Sequence, residues 1–386
     1  MILLDIEKCT WLNEVWTKLQ TKLQAECQRT GTKIPFIPID GQYRDCMMPG
    51  GLTWWTNGFW PGILWQMYRA TNEEIYRTTA SGAGKRIMTI LEDPQKLDHD
   101  IGFLFLPSAV AEYRLTNNTD CKTAGIRAAD YLCCRFNEKG NFIRAWDKSP
   151  WAEDVSGWMI VDSLLNIPLL YWASDETGDK HYADIANRHA ETALHRLLRP
   201  DGSCNHIAAF NSATGEFLGG IGGQGYGEGS SWSRGQGWAV YGFALAYRNT
   251  GNPEFLDAAK RSAHYCISAL AYSNWLPLVD FRAPAEPVQY DSGAGAIIVC
   301  GLLETAEHLP VLEKSFYQSA AFHIFKACVS EFADWNPNID GILNCGRTMY
   351  HNDRLAGQAY IYNDYFLLEA LLRLQENYFM IWGYDK

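Results

Sequence analysis

The chain has 386 residues, of which 47% are hydrophobic, 20% charged and 13% aromatic, with a formal net charge of −11. This length and apolar content require a sizeable core and exclude wholesale disorder. The acidic balance excludes a general nucleic-acid binder, which needs a basic face, but leaves room for one or two cationic side chains around an anionic ligand.

The opening "MILLDIEKCTWLNEVW" carries Asp5 and Glu7, no basic leader and no small-residue cleavage site. It predicts an amphipathic helix rather than a signal peptide. No stretch of about 18 uncharged apolar residues occurs, so no membrane span is expected. The cysteines number eleven, scattered and without a CxxC pair. This usage fits reduced thiols and a cytoplasmic chain, and neither a disulfide framework nor a metal site.

Four later segments share a turn signature: "YRATNEEIY" around Thr71, "YRLTNNTDC" around Thr116, "SDETGDKHY" around Thr177 and "YRNTGNPEF" around Thr250. In each, Gly or Asn after Thr suits a left-handed helix end, and the following polar or Pro residues suit a new helix start. The unit is a helical hairpin, one helix nearly all apolar and the next amphipathic. The spacings of 45, 61 and 73 residues between these threonines are unequal, so each hairpin carries its own insertion. The apolar helices are predicted to begin near Trp55, His99, Met159, Arg234, Tyr290 and Tyr362.

Six apolar helices, each with an amphipathic partner, predict an all-α fold, a single (α/α)6 barrel occupying residues 1–386 as one domain. The parallel inner helices would bring their starts, and the insertions before them, to one open end. Little strand pattern competes, apart from short pieces such as "GILNCG".

The polar residues expected to gather there are Asn57, His99, Asp100, Asp162, Arg234, Gln236, Asp291, Asn363 and Asp364, with Trp54, Trp55, Trp60, Trp146, Trp232 and Trp238 from the insertions. Aromatic walls suit a sugar, whose CH face a ring can cover. Asp162, in "WMIVDSLL", is set among aliphatic residues. Burial and a second carboxylate would raise its pKa, as a general acid working near neutrality requires; a helix-capping aspartate is the other reading. Asp100, in "LDHDIGFLF", has the same two readings. Arg234 suits a substrate carboxylate through paired N–H donors, or an ion pair with one of these aspartates. His206 falls in a loop and fits either a structural or a binding role. The glycine-rich 219–229 stretch lacks the Lys-Ser/Thr ending of a phosphate loop and follows no βα unit; it more simply drapes over the pocket, with Gln224 as its polar contact.

"WTNGFW", "HDIGF", "IVDSLLNIPLL", "SSWSRGQGW", "YGFAL", "YDSGAGAI" and "DYFLLEALLRL" together resemble the bacterial unsaturated glucuronyl hydrolases, in order and spacing and over nearly the whole chain. The resemblance implies a glycosidase that acts on fragments left by polysaccharide lyases, in which a uronic acid with a C4=C5 bond forms the non-reducing end. A carboxylic acid protonates C4, water adds at C5, and the hemiketal collapses to release the neighbouring sugar. By motif match Asp162 is the acid and then the base, and Asp100 orients the sugar and tunes Asp162. The same match implies Asn57, His206, Gln224 and Arg234 as binding residues and Trp55, Trp146 and Trp238 as aromatic walls; His99, from the gathered helix starts, is a further expected binding residue. No cofactor, metal or obligate protein partner is implied; the partner is the unsaturated oligosaccharide.

One loop departs from the family pattern. Relatives that favour sulfated chondroitin fragments carry serine and lysine before the last inner helix, where this chain reads "YHNDRLAGQAY". Arg354 is then the residue available to a sulfate or to the neighbouring sugar. Gly223 stands where some relatives have a bulkier polar residue. Alternatives are a rhamnogalacturonyl-type hydrolase, a sugar epimerase on the same barrel, which would call for histidine bases, and a non-catalytic sugar binder.

Overall fold

The computed structural model describes residues 2–48, 50–149, 151–352 and 354–384, the side chains of residues 2–6 excepted. Helix α1 (Ile2–Thr30) buries Leu12, Val15, Leu19, Leu23 and Cys27. Their spacing of three and four residues makes one apolar stripe. Five helical hairpins follow: α2 (Phe59–Thr71) with α3 (Glu74–Met88), α4 and α5 (Ile101–Phe105, Ala111–Thr116) with α6 (Thr119–Cys133), α7 (Pro168–Thr177) with α8 (Lys180–Arg196), α9 (Ser233–Thr250) with α10 (Pro253–Tyr272), and α11 (Ser292–Glu307) with α12 (Val311–Phe332). Helix α13 (Ile361–Leu374) comes last and packs on α11, α2 and α1. The result is an (α/α)6 barrel, with α2, α4–α5, α7, α9, α11 and α13 inside and α1, α3, α6, α8, α10 and α12 outside. Among the described residues no helix is long and apolar enough to cross a membrane.

The repeated threonine corners share one geometry. Thr71, Thr116, Thr177 and Thr250 each donate their hydroxyl to the carbonyl four residues back, at 2.7–2.8 Å. The next residue, Asn72, Asn117, Gly178 or Gly251, takes a positive φ of 59°, 59°, 77° or 67° and ends the helix. Asn118, Asp179 and Asn252 then cap the outer helices through their side chains, supplying an acceptor to an otherwise unpaired N–H. A fifth corner, after α11, ends at His308 with φ −94°, so it lacks the signature that made the other four visible in sequence.

Two elements depart from expectation. The second inner helix is interrupted by a π-helical turn over Leu106–Val110. Pro107 sits in its interior and offers no N–H, so the hydrogen-bond ladder widens there. The third was predicted to start at Met159. Trp158–Ile160 is instead a strand, β5, followed by a 3-10 turn over Val161–Leu165, and α7 begins only at Pro168. Labelling the earlier strands in chain order, β1 (Pro38–Ile39) pairs with β2 (Gln42–Tyr43) and β3 (Phe136–Asn137) with β4 (Phe142–Ile143), while β5 joins β6 (Ile207–Phe210) and β7 (Phe217–Ile221) in an antiparallel sheet of order β5-β6-β7. Side chains alternate across that sheet. Met159, Ala208 and Phe210 enter the barrel core, and Trp158, Ile160, Ile207 and Ala209 form a second cluster under Trp146. The "GILNCG" stretch makes only isolated bridges, Ala333 to Leu343 and Gly346 to Gln358.

Opposite the insertions, Trp382 closes the barrel. It stacks on Phe366 at 6.0 Å and 3° and donates its indole N–H to Glu369 at 3.0 Å. Glu369 also binds Arg373, which pairs with Glu304. Replacing Trp382 with Ala leaves both a cavity and an unpartnered carboxylate oxygen. Chemical denaturation should show a loss of about 3–5 kcal/mol.

Candidate active site

Strand β5 delivers Asp162. The N–H of Val161 donates to the carbonyl of His206 at 3.0 Å, so the end of β5 and the start of β6 hold the residue between them. The side chain of Asp162 is 13% exposed, and its Oδ2 has no hydrogen-bond partner. Burial raises its pKa to about 7, against the opposing pull of the Arg234 guanidinium, a backbone N–H and the Trp238 indole.

Facing it, His206 is fully buried, and burial, with Arg234 and His99 nearby, lowers its pKa to about 3. Its Nδ1 accepts the N–H of Gln224 at 3.0 Å. The ring proton of the neutral imidazole therefore sits on Nε2, which stands 3.6 Å from Asp162 Oδ2. Gly223 makes this possible. Its φ is +56°, and a Cβ there would lie 2.0 Å from His206 Nδ1. With the His206 ring in this position, residue 223 has no room for a side chain.

Asp100 sits at the N-terminus of α4. Burial first, then the carboxylates of Asp98 and Asp162, hold its pKa well above the usual range. His99 is arranged oppositely to His206: its Nδ1 lies 2.8 Å from the carbonyl of Ala145, an acceptor only, so Nδ1 carries the proton. Burial keeps the ring neutral by lowering its pKa. Its bare Nε2 then lies 3.2 Å from Asp100 Oδ1, with no hydrogen bond between them. Asp98, His99 and Asp100 offer donor atoms within 4.8 Å of one another, the grouping closest to a metal-binding set among the described residues. Asp98 Oδ1 is already taken by the N–H of Asp100 at 2.9 Å, and His99 Nδ1 by Ala145.

Two adjoining compartments open here. The first, about 410 Å³, is lined by Asp98, Asp100, Asp162, Trp146, Trp151, Trp232 and Lys148 among others. The second, about 480 Å³, is lined by Phe36, Ile37, Met47, Met48, Asn352, Arg354 and Leu355. Trp54, Trp55, Gln224, Arg234 and Met349 belong to both and form the wall between them. Each volume suits a small-molecule site.

Arg234 is buried in that wall. Its Nη1 donates to Asp291 and to the carbonyl of Arg347, and its Nη2 to the carbonyl of Thr348 at 2.7 Å. The guanidinium lies 4.5 Å over Trp232 and 5.4 Å over Tyr362. The ion pair with an aspartate, one of two readings open from sequence, is present; Asp291 and Arg347 use both hydrogens of Nη1, and Thr348 takes one of the two on Nη2. Gln224 Nε2 donates to the same Thr348 carbonyl at 2.6 Å, tying the glycine-rich loop to the loop before α13.

The remaining expected residues divide. Trp55, Trp146 and Gln224 line the compartments, and Arg354 is exposed at the mouth of the second. His99 stands behind Asp100 with no exposed surface, and Trp238, equally buried, packs on Phe103 and Phe366. Asn57 donates to the carbonyls of Gly51 and Leu52 at 2.9 and 2.8 Å. Asn363 and Gln236 likewise bind buried loop backbone, and Asp364 accepts from the N–H groups of Ile342 and Leu343. Trp60 points away and donates to Gly31. Helix-start polarity therefore has two uses, because buried loop backbone needs partners as much as a ligand does. Lys148, Trp151, Met349 and Asn166 were not singled out from sequence. The first three stand in loops without periodicity, whereas Asn166, four residues after Asp162, carried a readable spacing.

Residues 39–365 match Glycosyl Hydrolase Family 88. The chain belongs to that family. A relative from Streptococcus pyogenes serotype M1, an unsaturated chondroitin disaccharide hydrolase, is 35% identical over 338 residues, 86% of this chain and 83% of the relative. The crystal structure of the unsaturated glucuronyl hydrolase of Bacillus sp. GL1, described as responsible for the degradation of glycosaminoglycan, superposes with a TM-score of 0.88 at 32% identity, over 95% of this chain and 99% of that one. A Streptococcus agalactiae unsaturated glucuronyl hydrolase variant complexed with dGlcA-GalNAc6S superposes at 0.81 and 28% identity, covering 96% and 94%. Family 88 membership makes the chain a glycosidase.

The raised pKa of Asp162 has a stability consequence for this glycosidase. The carboxyl titrates near 3.8 when unfolded and near 7 when folded. The folded state holds the proton more tightly between those values, so stability falls as pH rises through that window. Asp162→Asn removes the effect. Thermal and denaturant unfolding should show little gain over wild type at pH 4 and a gain at pH 8 of at most roughly 4 kcal/mol.

Proposed function

We propose that this family 88 glycosidase removes a 4,5-unsaturated glucuronic acid from the non-reducing end of lyase-generated glycosaminoglycan oligosaccharides. The observation that carries this reading is the carboxyl of Asp162, held near pKa 7 in an aromatic pocket with Oδ2 unpartnered. Protonated Asp162 delivers its proton to C4 of the enol ether, leaving positive charge shared by C5 and the ring oxygen. The resulting carboxylate takes a proton from water as the water oxygen bonds to C5. The C5 hemiketal then breaks its bond to the ring oxygen, forming a ketone at C5 and a hemiacetal at C1, which expels the neighbouring sugar as an alcohol. No attack at C1 occurs, so the spacing of the two carboxyls carries no information on retention or inversion.

Asp100 is the acceptor that orients the sugar hydroxyls. His206, with its N–H directed at Asp162, and the buried Trp238 steady the acid; Trp55 and Trp146 are the walls on which the ring lies. Gln224 and Arg234 border the sugar, and Asn57 and His99 hold what touches it. The neighbouring sugar enters the second compartment, with Arg354 at its mouth, and its apolar Met47, Met48 and Leu355 floor supports unsulfated sugars as the better fit. One continuous core running from Leu12 to Trp382 supports a single catalytic domain. Eleven unpaired thiols support a reducing, cytoplasmic setting.

The test is the ultraviolet absorbance of the C4=C5 bond in unsaturated hyaluronan and chondroitin disaccharides. Wild type should abolish it, and Asp162→Asn should slow the loss by about 10²–10⁴-fold. Because the acid must hold its proton, kcat/KM should fall as pH rises through about 7. Wild-type inactivity on glucuronyl fragments with activity on rhamnogalacturonan fragments would move the chain to the related hydrolases. Arg354→Ala should change the ratio of kcat/KM between 6-sulfated and unsulfated disaccharides, and an unchanged ratio would remove Arg354 from the neighbouring-sugar site.

A further inference from the structure

The turn after Asp162 carries a residue to which the mechanism above gives no part. Asn166 is completely buried. Its Nδ2 donates to Asp100 Oδ1 at 3.2 Å and to the carbonyl of Asp162 at 3.3 Å, and its Oδ1 accepts the N–H of Phe103 at 2.7 Å. Both amide hydrogens and one lone pair are therefore spent on the two acid-bearing segments. Those segments approach as closely here as backbone allows. A Cβ on Gly102 would lie 2.5 Å from both Asn166 Cα and its carbonyl oxygen.

We propose that Asn166 is a positioning residue for the proton transfer, holding Asp100 by its side chain and Asp162 by its backbone so that the two carboxyls keep one spacing and one orientation across the sugar. Asp100 Oδ1 meets two neighbours, His99 Nε2, which is bare, and Asn166 Nδ2, which can only donate. His99 Nε2 makes no hydrogen bond, so the amide of Asn166 is the group that holds Oδ1 toward the protein. Oδ2 is left as the acceptor for a sugar hydroxyl. Without the amide, the carboxyl turns freely and presents donor and acceptor to the pocket interchangeably. Asp at this position would still accept from Phe103 but could not donate to Asp100 as a carboxylate. Gln would carry its amide beyond both carboxyls.

The inference rests on the hydrolase reading, and a double-mutant cycle tests it separately. Wild type, Asn166→Ala, Asp100→Asn and the double variant are assayed at high enzyme concentration by C4=C5 absorbance, with thermal unfolding of each to verify folding. Asn166→Asp, nearly isosteric, is carried through the same cycle in case the alanine variant does not fold. Asn166→Ala should lower kcat by about 10–100-fold, the range expected when reacting groups are misplaced by an ångström or less, with KM within about threefold. In the Asp100→Asn background the same change should lower kcat by no more than about threefold, because its partner is already altered. A kcat within about twofold of wild type, or the same loss in both backgrounds, overturns the positioning role while leaving the hydrolase reading intact. A wild-type enzyme inert on every unsaturated uronide overturns both.

Discussion

Everything around this site depends on one constraint, the burial of a carboxyl that must keep a proton near neutrality. An aspartate in water loses its proton about three pH units too early to serve as an acid at pH 7. Asp162 keeps it because the barrel and the β5-β6-β7 sheet remove solvent from one side, while Oδ2 is given no hydrogen bond that would stabilise the charge. The arginine that would undo this is close by, but its Nη1 is committed to Asp291 and the carbonyl of Arg347, and part of its Nη2 to Thr348. A fully available guanidinium would hold Asp162 ionised. One committed to Asp291 can border the pocket and still leave the acid protonated.

The two histidines extend the same logic by opposite means. Both are buried and neutral, yet one binds a carbonyl through Nδ1 and the other a backbone N–H. The first therefore shows Asp100 a lone pair, and the second shows Asp162 a proton. A single residue type, fixed in two tautomers by two backbone groups, distinguishes two carboxyls that the sequence presents almost identically. Asp100 has one oxygen held by the amide of Asn166, while Asp162 Oδ2 accepts no hydrogen bond.

The barrel was legible because its corners are local. Thr-Asn and Thr-Gly pairs, with a capping residue just beyond, say where one helix ends and the next begins, and apolar runs say which helix is inner. The site was legible as a gathering of helix starts but not in the assignment of each member. Asn57, Gln236, Asn363 and Asp364 have the same chemistry as ligand-binding residues and the same position in the hairpins. Whether such a side chain meets a sugar or a loop carbonyl is decided by insertions folding back from elsewhere in the chain, and no local pattern encodes that. The strand at Trp158–Ile160 was hidden for the same reason. Its partner lies some fifty residues on, and an apolar run of that length reads equally as helix.

The threonine corners divide change unevenly between the two ends of the molecule. At the closed end four of the five hairpins turn by one rule within a few residues, so most of the frame is fixed by short-range chemistry and has little latitude to drift. At the open end the connections between the same helices differ by tens of residues and touch the ring through backbone bonds and side-chain anchors such as Asn57 and Asp364. A lineage can therefore rebuild the rim around the acid, one connection at a time, without renegotiating how the helices stand. The loop before α13, which brings Met349 and Arg354 to the second compartment, is the kind of segment such an arrangement leaves free to change.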